Sequence, residues 1–449
     1  MTDPLYSFQA EAVDRAAKGE QVYLGFDPGL GKSRTALETA KRRQAKRVLV
    51  ICPASGRYVW ESEVLKWTGQ RVTIIQGTRD LARLKNDGIV VVTYGLISKR
   101  DSPFVSVIAK GEPFDLTVID EAAAVKNPGS NRTRAILTKM LPKLGYVLPM
   151  SGTPAPNNAS ELYPILKALF PAALTSGNGT VMNQWQFEDQ YCHVVSKRFG
   201  TGPSIRTIQG NKNAPELKKR LAPFMIRVRK EDVLTQLPPI RYDVVPLPLP
   251  PGSASALGAT PSGLSDDELL KYLSGATGDE HVMRLRRVLG LLKAQPAAEY
   301  IDDFLTNLPS DKKVLVFAHH KEVIAKLVEG LADWSPAVIT GASTPAERTA
   351  AIDRFLGKTL RPTRLFIGNI AASGTGLTLV GPTCKCSDVV FVEATYSVGD
   401  NVQAACRVHR IGQHEAVVAR FLTAHGTMDD RIQSILARKA KDFDQLFNT

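Results

Sequence analysis

The sequence is poor in cysteine, and the little it has is scattered. Cys52, Cys192, Cys384, Cys386 and Cys406 are its only five, with no CxxC pair among them. That argues against a disulfide framework and a cysteine zinc site, and fits a reduced compartment. Long hydrophobic runs are also missing. Every apolar stretch is broken by Pro, Gly or charge before the roughly 20 residues that a membrane helix needs, so no membrane is expected as a partner. The N-terminal MTDPLYSFQAEAVDR has an early acid and no apolar core, so it is not expected to act as a signal peptide. Acidic residues are in deficit, 44 against 57 basic ones, for a net charge of +13. A balance of that size bears on partners, and nucleic acid is the obvious polyanion. A solvated, solubilising surface is the plainer alternative.

What is present is ordinary for a globular protein, 43% apolar and 22% charged. At 449 residues the chain is too long for one core and predicts two or three domains. From Gln21 onward, β-rich runs (QVYLGF, RVLVIC, RVTIIQG, GIVVVTY, DLTVIDE, LGYVLPMSGTP) alternate with amphipathic stretches. That alternation predicts a parallel sheet covered by helices on both faces. After Phe170 the chain turns basic and is expected to be mostly helical up to VLTQLPPI. PLPLPPGSASALGATPSGLSDDE (246–268) reads as a connector. The alternation then resumes with KKVLVFAHH, SPAVITG, TRLFIGN, DVVFVEA and VVARFLTA, before a closing helix. The expectation is an α/β chain of two such units.

The chemistry starts at GFDPGLGKS (25–33), between an apolar strand and a helical stretch. Glycines let backbone N–H groups turn toward phosphates, and the helix N-terminus adds a favourable dipole. Lys32 is expected to reach the β- and γ-phosphates, and the Ser33 hydroxyl to bind Mg²⁺. The strict pattern wants glycine where Phe26 stands, and a simple glycine turn is the bland alternative. Downstream, LTVIDEAAAVKN (116–127) ends an apolar strand in adjacent acids. Asp120 and Glu121 should emerge at the carboxyl end of a buried strand, where open α/β sheets bind ligands. Asp120 can hold Mg²⁺, and Glu121 can orient and activate water. In SGTPAPNN (151–158), Ser151 and Thr153 can hydrogen-bond toward that pair.

Near the other end, QAACRVHRIGQ (403–413) raises a separate expectation. Read as a helix, it puts Arg407 and Arg410 on one face at i and i+3, with Gln403 one turn earlier. Such arginines can stabilise transition-state charge on a phosphate as fingers supplied by the second unit. A basic surface helix is the alternative.

In order along the chain, these stretches resemble the motifs of superfamily 2 helicases, and specifically the Swi/Snf family of ATP-driven DNA translocases. LYSFQAEAV resembles the family's glutamine motif, DPGLGKS motif I, VICPASGRYVWESEVLKW motif Ia and VVTYGLI motif Ib. DEAAAVKN resembles motif II, SGTPAPNNASELY motif III, NIAASGTGLTL motif V and QAACRVHRIGQ motif VI. VLVFAHHKEVI and ITGASTPAER follow motif IV territory, and LAPFMIRVRKEDVLTQLPP the family's basic segment. GLLKAQPAAEYIDDFL and VFAHH lean toward the annealing-helicase, HepA-related branch. Ala123, Pro28 and Tyr396 depart from the family pattern.

The resemblance implies two tandem RecA-like domains, with a helical insertion and a flexible linker. The expected boundaries are 1–170, a basic helical segment 171–240, a linker 241–285 and 286–449. It implies ATP as substrate with Mg²⁺, Gln9 on adenine, and Asp27, Pro28, Gly29, Leu30, Gly31, Gly374 and Gly376 around the nucleotide. DNA, double-stranded or branched, is the expected partner of a monomer. Candidate contacts are Ser55, Thr93, Arg227, Arg229, Lys230, His319 and Ser343. A strand-separating DNA or RNA helicase, or a nucleotide-gated DNA scaffold without turnover, are the competing readings. The compact length fits a bacterial or phage protein in the cytoplasm, and a nuclear site if the host is eukaryotic. KRRQAKR (41–47) is read as closing a helix rather than as a nuclear signal. Trp60 and Trp67 are read as core, His319 and His320 as packing or DNA-facing, and Cys384-Lys385-Cys386 as a loop.

Overall fold

The computed structural model describes residues 4–54, 56–85, 87–176, 179–197, 205–233, 237–253, 280–370, 379, 384–410 and 413–447. The chain forms two compact units, Met1–Val233 with Lys441–Thr449, and Leu234–Ala440. No helix among the described residues is long and apolar enough to cross a membrane.

The first unit is built on strands β1 (Tyr23–Phe26), β2 (Arg47–Cys52), β3 (Thr73–Ile74), β4 (Gly88–Thr93), β5 (Leu116–Asp120) and β6 (Tyr146–Met150). Their near-continuous apolar runs are what a sheet buried on both faces requires, and every described pairing is parallel. A hairpin of β7 (Cys192–Lys197) and β8 (Ile205–Asn211) follows. Then β9 (Met225–Val228) returns to pair with β1, giving the order β3-β4-β2-β5-β6-β1-β9. The segment expected to be helical therefore supplies a hairpin and the seventh strand. MIRV is short and carries an arginine, so its strand character comes from the open edge of β1 rather than from an apolar run.

The second unit orders β10 (Ile240–Pro246), β15 (Val417–Thr423), β14 (Lys385–Phe391), β11 (Lys312–Ala318), β13 (Leu365–Asn369) and β12 (Ala337–Ile339), again all parallel. Alternate residues of β11 serve opposite faces. Leu315 and Phe317 join one core, Val314, Val316 and Ala318 the other. Two stretches differ from expectation. Ile240–Pro246, most of it expected in the linker, is an edge strand with no fully buried residue, held by parallel pairing with β15. Lys385 and Cys386, read as loop, begin β14 because they pair with Lys312 and Lys313 across a register shift.

The basic run at 41–47 stays at the surface, with two of its arginines tied to neighbouring elements. Helix α2 (Lys32–Arg42) ends there. Arg42 pairs with Asp14 at 2.6 Å. Arg43 donates to the Ala16 carbonyl and lies over the Tyr146 ring.

Candidate active site

The carboxyl ends of the neighbouring strands β5, β6 and β1 carry the acids, the Ser151 turn and the phosphate loop. The loop after β1 bends through Gly29 at φ 93° and Gly31 at φ 77°, a region open to glycine, and α2 starts at once. A side chain at position 31 would also run into the Gln9 amide. Gln9, only 2% exposed, comes from α1 (Ser7–Ala17). Its Nε2 donates to the Leu30 carbonyl at 3.0 Å and its Oε1 accepts from the Tyr6 N–H at 3.1 Å. The amide retains one donor and one lone pair. Phe26, where glycine is usual, points into the core edge-on to Phe8, so only its carbonyl belongs to the loop.

Lys32 folds back onto that loop. Its Nζ donates to the carbonyls of Phe26 (2.9 Å) and Asp27 (3.4 Å). Burial pulls its pKa down, and Glu121, Asp120 and Asp27 oppose that fall. Asp27 pairs with Arg227 at 2.7 Å and accepts from the Lys230 N–H at 3.1 Å. Arg227 also donates to the Gly25 carbonyl at 2.7 Å. Arg227, expected at DNA, thus braces the phosphate loop, and Arg229 pairs with Glu231 and Asp232. Lys230 and Thr93 are buried.

The acid pair sits in a tight polar setting. Asp120 Oδ2 accepts from the indole N–H of Trp60 at 2.9 Å. Burial, then Glu121, pushes the Asp120 carboxyl up to about 7. Glu121 adopts φ 52°, ψ 56°, a left-handed conformation that L side chains avoid. Its Oε2 accepts from Ser151 Oγ at 3.2 Å, and Ser151 Oγ accepts from the Thr153 N–H at 3.1 Å. Gly152 packs so close to Pro28 that a Cβ there would lie 2.9 Å from the ring. Tyr94 donates to the Asp120 carbonyl at 2.7 Å. Trp60 and Tyr94 both bond to the acid pair, contacts the sequence pattern did not announce. The signal was available for Trp60, since a buried indole N–H must find an acceptor.

In the second unit, the helix Val398–Ala405 holds Gln403 but stops before both arginines. The expectation of a helical Arg407–Arg410 face is corrected. Beyond that stop, Gln413 Nε2 donates to the carbonyls of Val408 (3.1 Å) and Cys386 (2.7 Å), which ties the arginine segment to β14. Arg407 is 3% exposed, and Arg410 Nε donates to the Cys406 carbonyl at 2.9 Å. His320 pairs with Glu393 at 2.7 Å, and Glu393 also accepts from the N–H groups of His319 and His320. Burial and Arg286 hold His319 down at about 4. Ser343 accepts from the Thr340 N–H at 2.9 Å. Ser55, Gly374 and Gly376 lie outside the described residues.

Comparison with known proteins assigns the family. The SNF2-related domain matches residues 15–295, and the helicase conserved C-terminal domain matches 297–412. The bovine DNA annealing helicase and endonuclease ZRANB3 is 30% identical over 453 residues, covering 97% of this chain and 40% of that protein. A SWI/SNF-related matrix-associated actin-dependent regulator of chromatin subfamily A-like protein 1 from Xenopus tropicalis is 29% identical, covering 98% and 45%. The chain therefore spans less than half the length of these relatives. The Pyrococcus furiosus Hef helicase domain shares the fold, with a TM-score of 0.51, 14% identity and coverage of 96% and 98%. The phosphate loop and acid pair of this chain thus stand in the frame of tandem RecA-like domains, and the chain belongs to the SNF2-related domain family with a helicase conserved C-terminal domain.

Proposed function

We propose that the chain is a Mg²⁺- and ATP-dependent motor that moves along double-stranded DNA without reading its sequence, and so remodels DNA structures or displaces bound protein. The convergence of Lys32, Asp120, Glu121 and Ser151 on adjoining strand ends carries this reading, in a chain of this family. Lys32 exchanges the Phe26 and Asp27 carbonyls for β- and γ-phosphate oxygens, and Gln9 faces the adenine. Ser33 and Asp120 would hold Mg²⁺, as hard oxygen donors suit it. A buried carboxyl at about 7 fits that role, because a neighbouring cation favours its charged form. The ion, when bound, supplies neutralisation of phosphate charge. Glu121, held by Ser151, orients the attacking water and takes its proton. Arg407 and Arg410 are the candidates to supply positive charge to the transition state, and Gln403, Gly374 and Gly376 are further candidates for the nucleotide.

The net charge of +13 supports a phosphate backbone as track. The candidates for backbone contact are Ser55, Thr93, Arg227, Arg229, Lys230, His319 and Ser343, of which Arg227 and Arg229 also pair with Asp27, Glu231 and Asp232. Steady-state hydrolysis should be stimulated most by linear duplex, less by single strands and RNA. Stimulation best by RNA or single strands would make the track wrong, and no stimulation at all would favour a scaffold. For about four neutralised phosphates, the apparent DNA affinity should fall roughly a hundredfold between 50 and 200 mM salt. Arg410→Ala should lower kcat by about a hundredfold with KM for ATP little changed, read by steady-state kinetics. A raised KM at wild-type kcat would instead assign Arg410 to binding.

A further inference from the structure

Two aromatic side chains outside the phosphate loop end on the acid pair. Trp60 is 1% exposed on helix α3 (Gly56–Thr68), which leaves the carboxyl end of β2. Tyr94 is 4% exposed and opens helix α4 (Tyr94–Ile97) after β4. The order β4-β2-β5 puts both on the same side of the strand that ends in Asp120. Ser151 follows β6, on the other side, and reaches Glu121. The two acids are therefore held from opposite flanks.

The two aromatics hold different things. An indole N–H only donates, so its 2.9 Å bond to Asp120 Oδ2 takes one carboxylate lone pair and fixes how the remainder point. The Tyr94 hydroxyl lies 2.7 Å from the Asp120 carbonyl and 3.5 Å from that of Glu121. These carbonyls flank the left-handed Glu121 backbone, a conformation that persists only where its surroundings enforce it. The Arg132 guanidinium lies over the Tyr94 ring at 5.1 Å.

We propose that Trp60 and Tyr94 are positioning residues for the acid pair: Trp60 aims the Asp120 carboxylate at a divalent cation, and Tyr94 holds the Glu121 backbone in the geometry that presents its carboxylate to water. The inference rests on Asp120 being a cation ligand, as read above. Hydrogen bonds to ligating carboxylates tune metal affinity by about 10- to 100-fold. Phenylalanine at either position keeps an aromatic ring and removes one donor, and melting curves would verify folding.

The test is Mn²⁺ titration of the full chain with ADP, followed by electron paramagnetic resonance, beside steady-state kinetics over Mg²⁺ and ATP. Trp60→Phe should weaken Mn²⁺ binding about tenfold, leave ADP affinity in EDTA unchanged, and recover turnover at high Mg²⁺. Tyr94→Phe should lower kcat about tenfold with Mn²⁺ affinity and KM for ATP unchanged. Asp120→Asn separates the two levels. If it abolishes Mn²⁺ binding while Trp60→Phe binds Mn²⁺ like wild type, the positioning role of Trp60 is overturned. If Asp120→Asn itself binds Mn²⁺ normally, the assignment of Asp120 as ligand has failed. Wild-type kcat in Tyr94→Phe would remove Tyr94.

Discussion

Lys32→Ala should abolish DNA-stimulated ATP hydrolysis, a loss of about a thousandfold or more. The expectation comes from the charge environment. Lys32 is the cation set among Asp27, Asp120 and Glu121, with Arg227 already committed to Asp27. A triphosphate brought into that company without the ammonium meets uncompensated negative charge. Its donors are also directional, since the bonds to Phe26 and Asp27 carbonyls show the ammonium reaching across the mouth of the loop. Lys32→Arg should therefore fail almost as badly, because a planar fork does not replace a point charge there. Steady-state hydrolysis, with fluorescent ATP-analogue binding and nucleotide-free DNA binding as companions, checks this. DNA binding should persist, being carried by other residues. Turnover within tenfold of wild type in Lys32→Ala would remove the loop from the mechanism.

Asp120→Asn should lose turnover to a similar extent, yet make the metal-free protein more stable. The sign follows from proton linkage. The folded carboxyl titrates at about 7, against roughly 3.9 when unfolded. Between those values the folded state binds more protons, so stability falls as pH rises, and the full cost is present above about 7. That cost is on the order of a few kcal/mol. The amide removes the charge while its oxygen can still accept from Trp60. In EDTA, the melting temperature of Asp120→Asn should exceed wild type by several degrees at pH 8.5, with the gap shrinking toward pH 5. Mg²⁺ with ADP should close it by stabilising only the wild type. Equal melting temperatures at both pH values would show that Asp120 carries no such burden.

Such a burden was partly readable beforehand. LTVIDE and GFDPGLGKS announce their strand ends by an apolar run stopping at acids or glycines, and each strand proposed from such a run is present. What escaped depends on partners distant in sequence. MIRV becomes a strand because β1 has an open edge, and Arg227 meets an aspartate 200 positions earlier. The sequence pattern gives no sign that Arg227 pairs with Asp27. The helix through QAACRVHR has good local propensity, yet it ends at Ala405, and Val408 is held instead by Gln413 from further along the chain. Trp60 looked like packing because spacing reports which face a side chain occupies, and not what its N–H touches.

The brace between β9 and the phosphate loop also has a meaning in time. Val228 accepts the Asp27 N–H at 3.0 Å, Arg227 pairs with the Asp27 carboxylate, and the Lys230 N–H completes the clasp. A growing chain that has just released residue 170 already has its phosphate loop, acid pair and Ser151, but not the partners of the Asp27 carboxylate. Some sixty further residues must leave the ribosome before that edge of β1 is closed. The phosphate loop and acid pair are therefore synthesised well before the clasp on the Asp27 carboxylate can form, and the basic segment is the last part of that clasp to arrive.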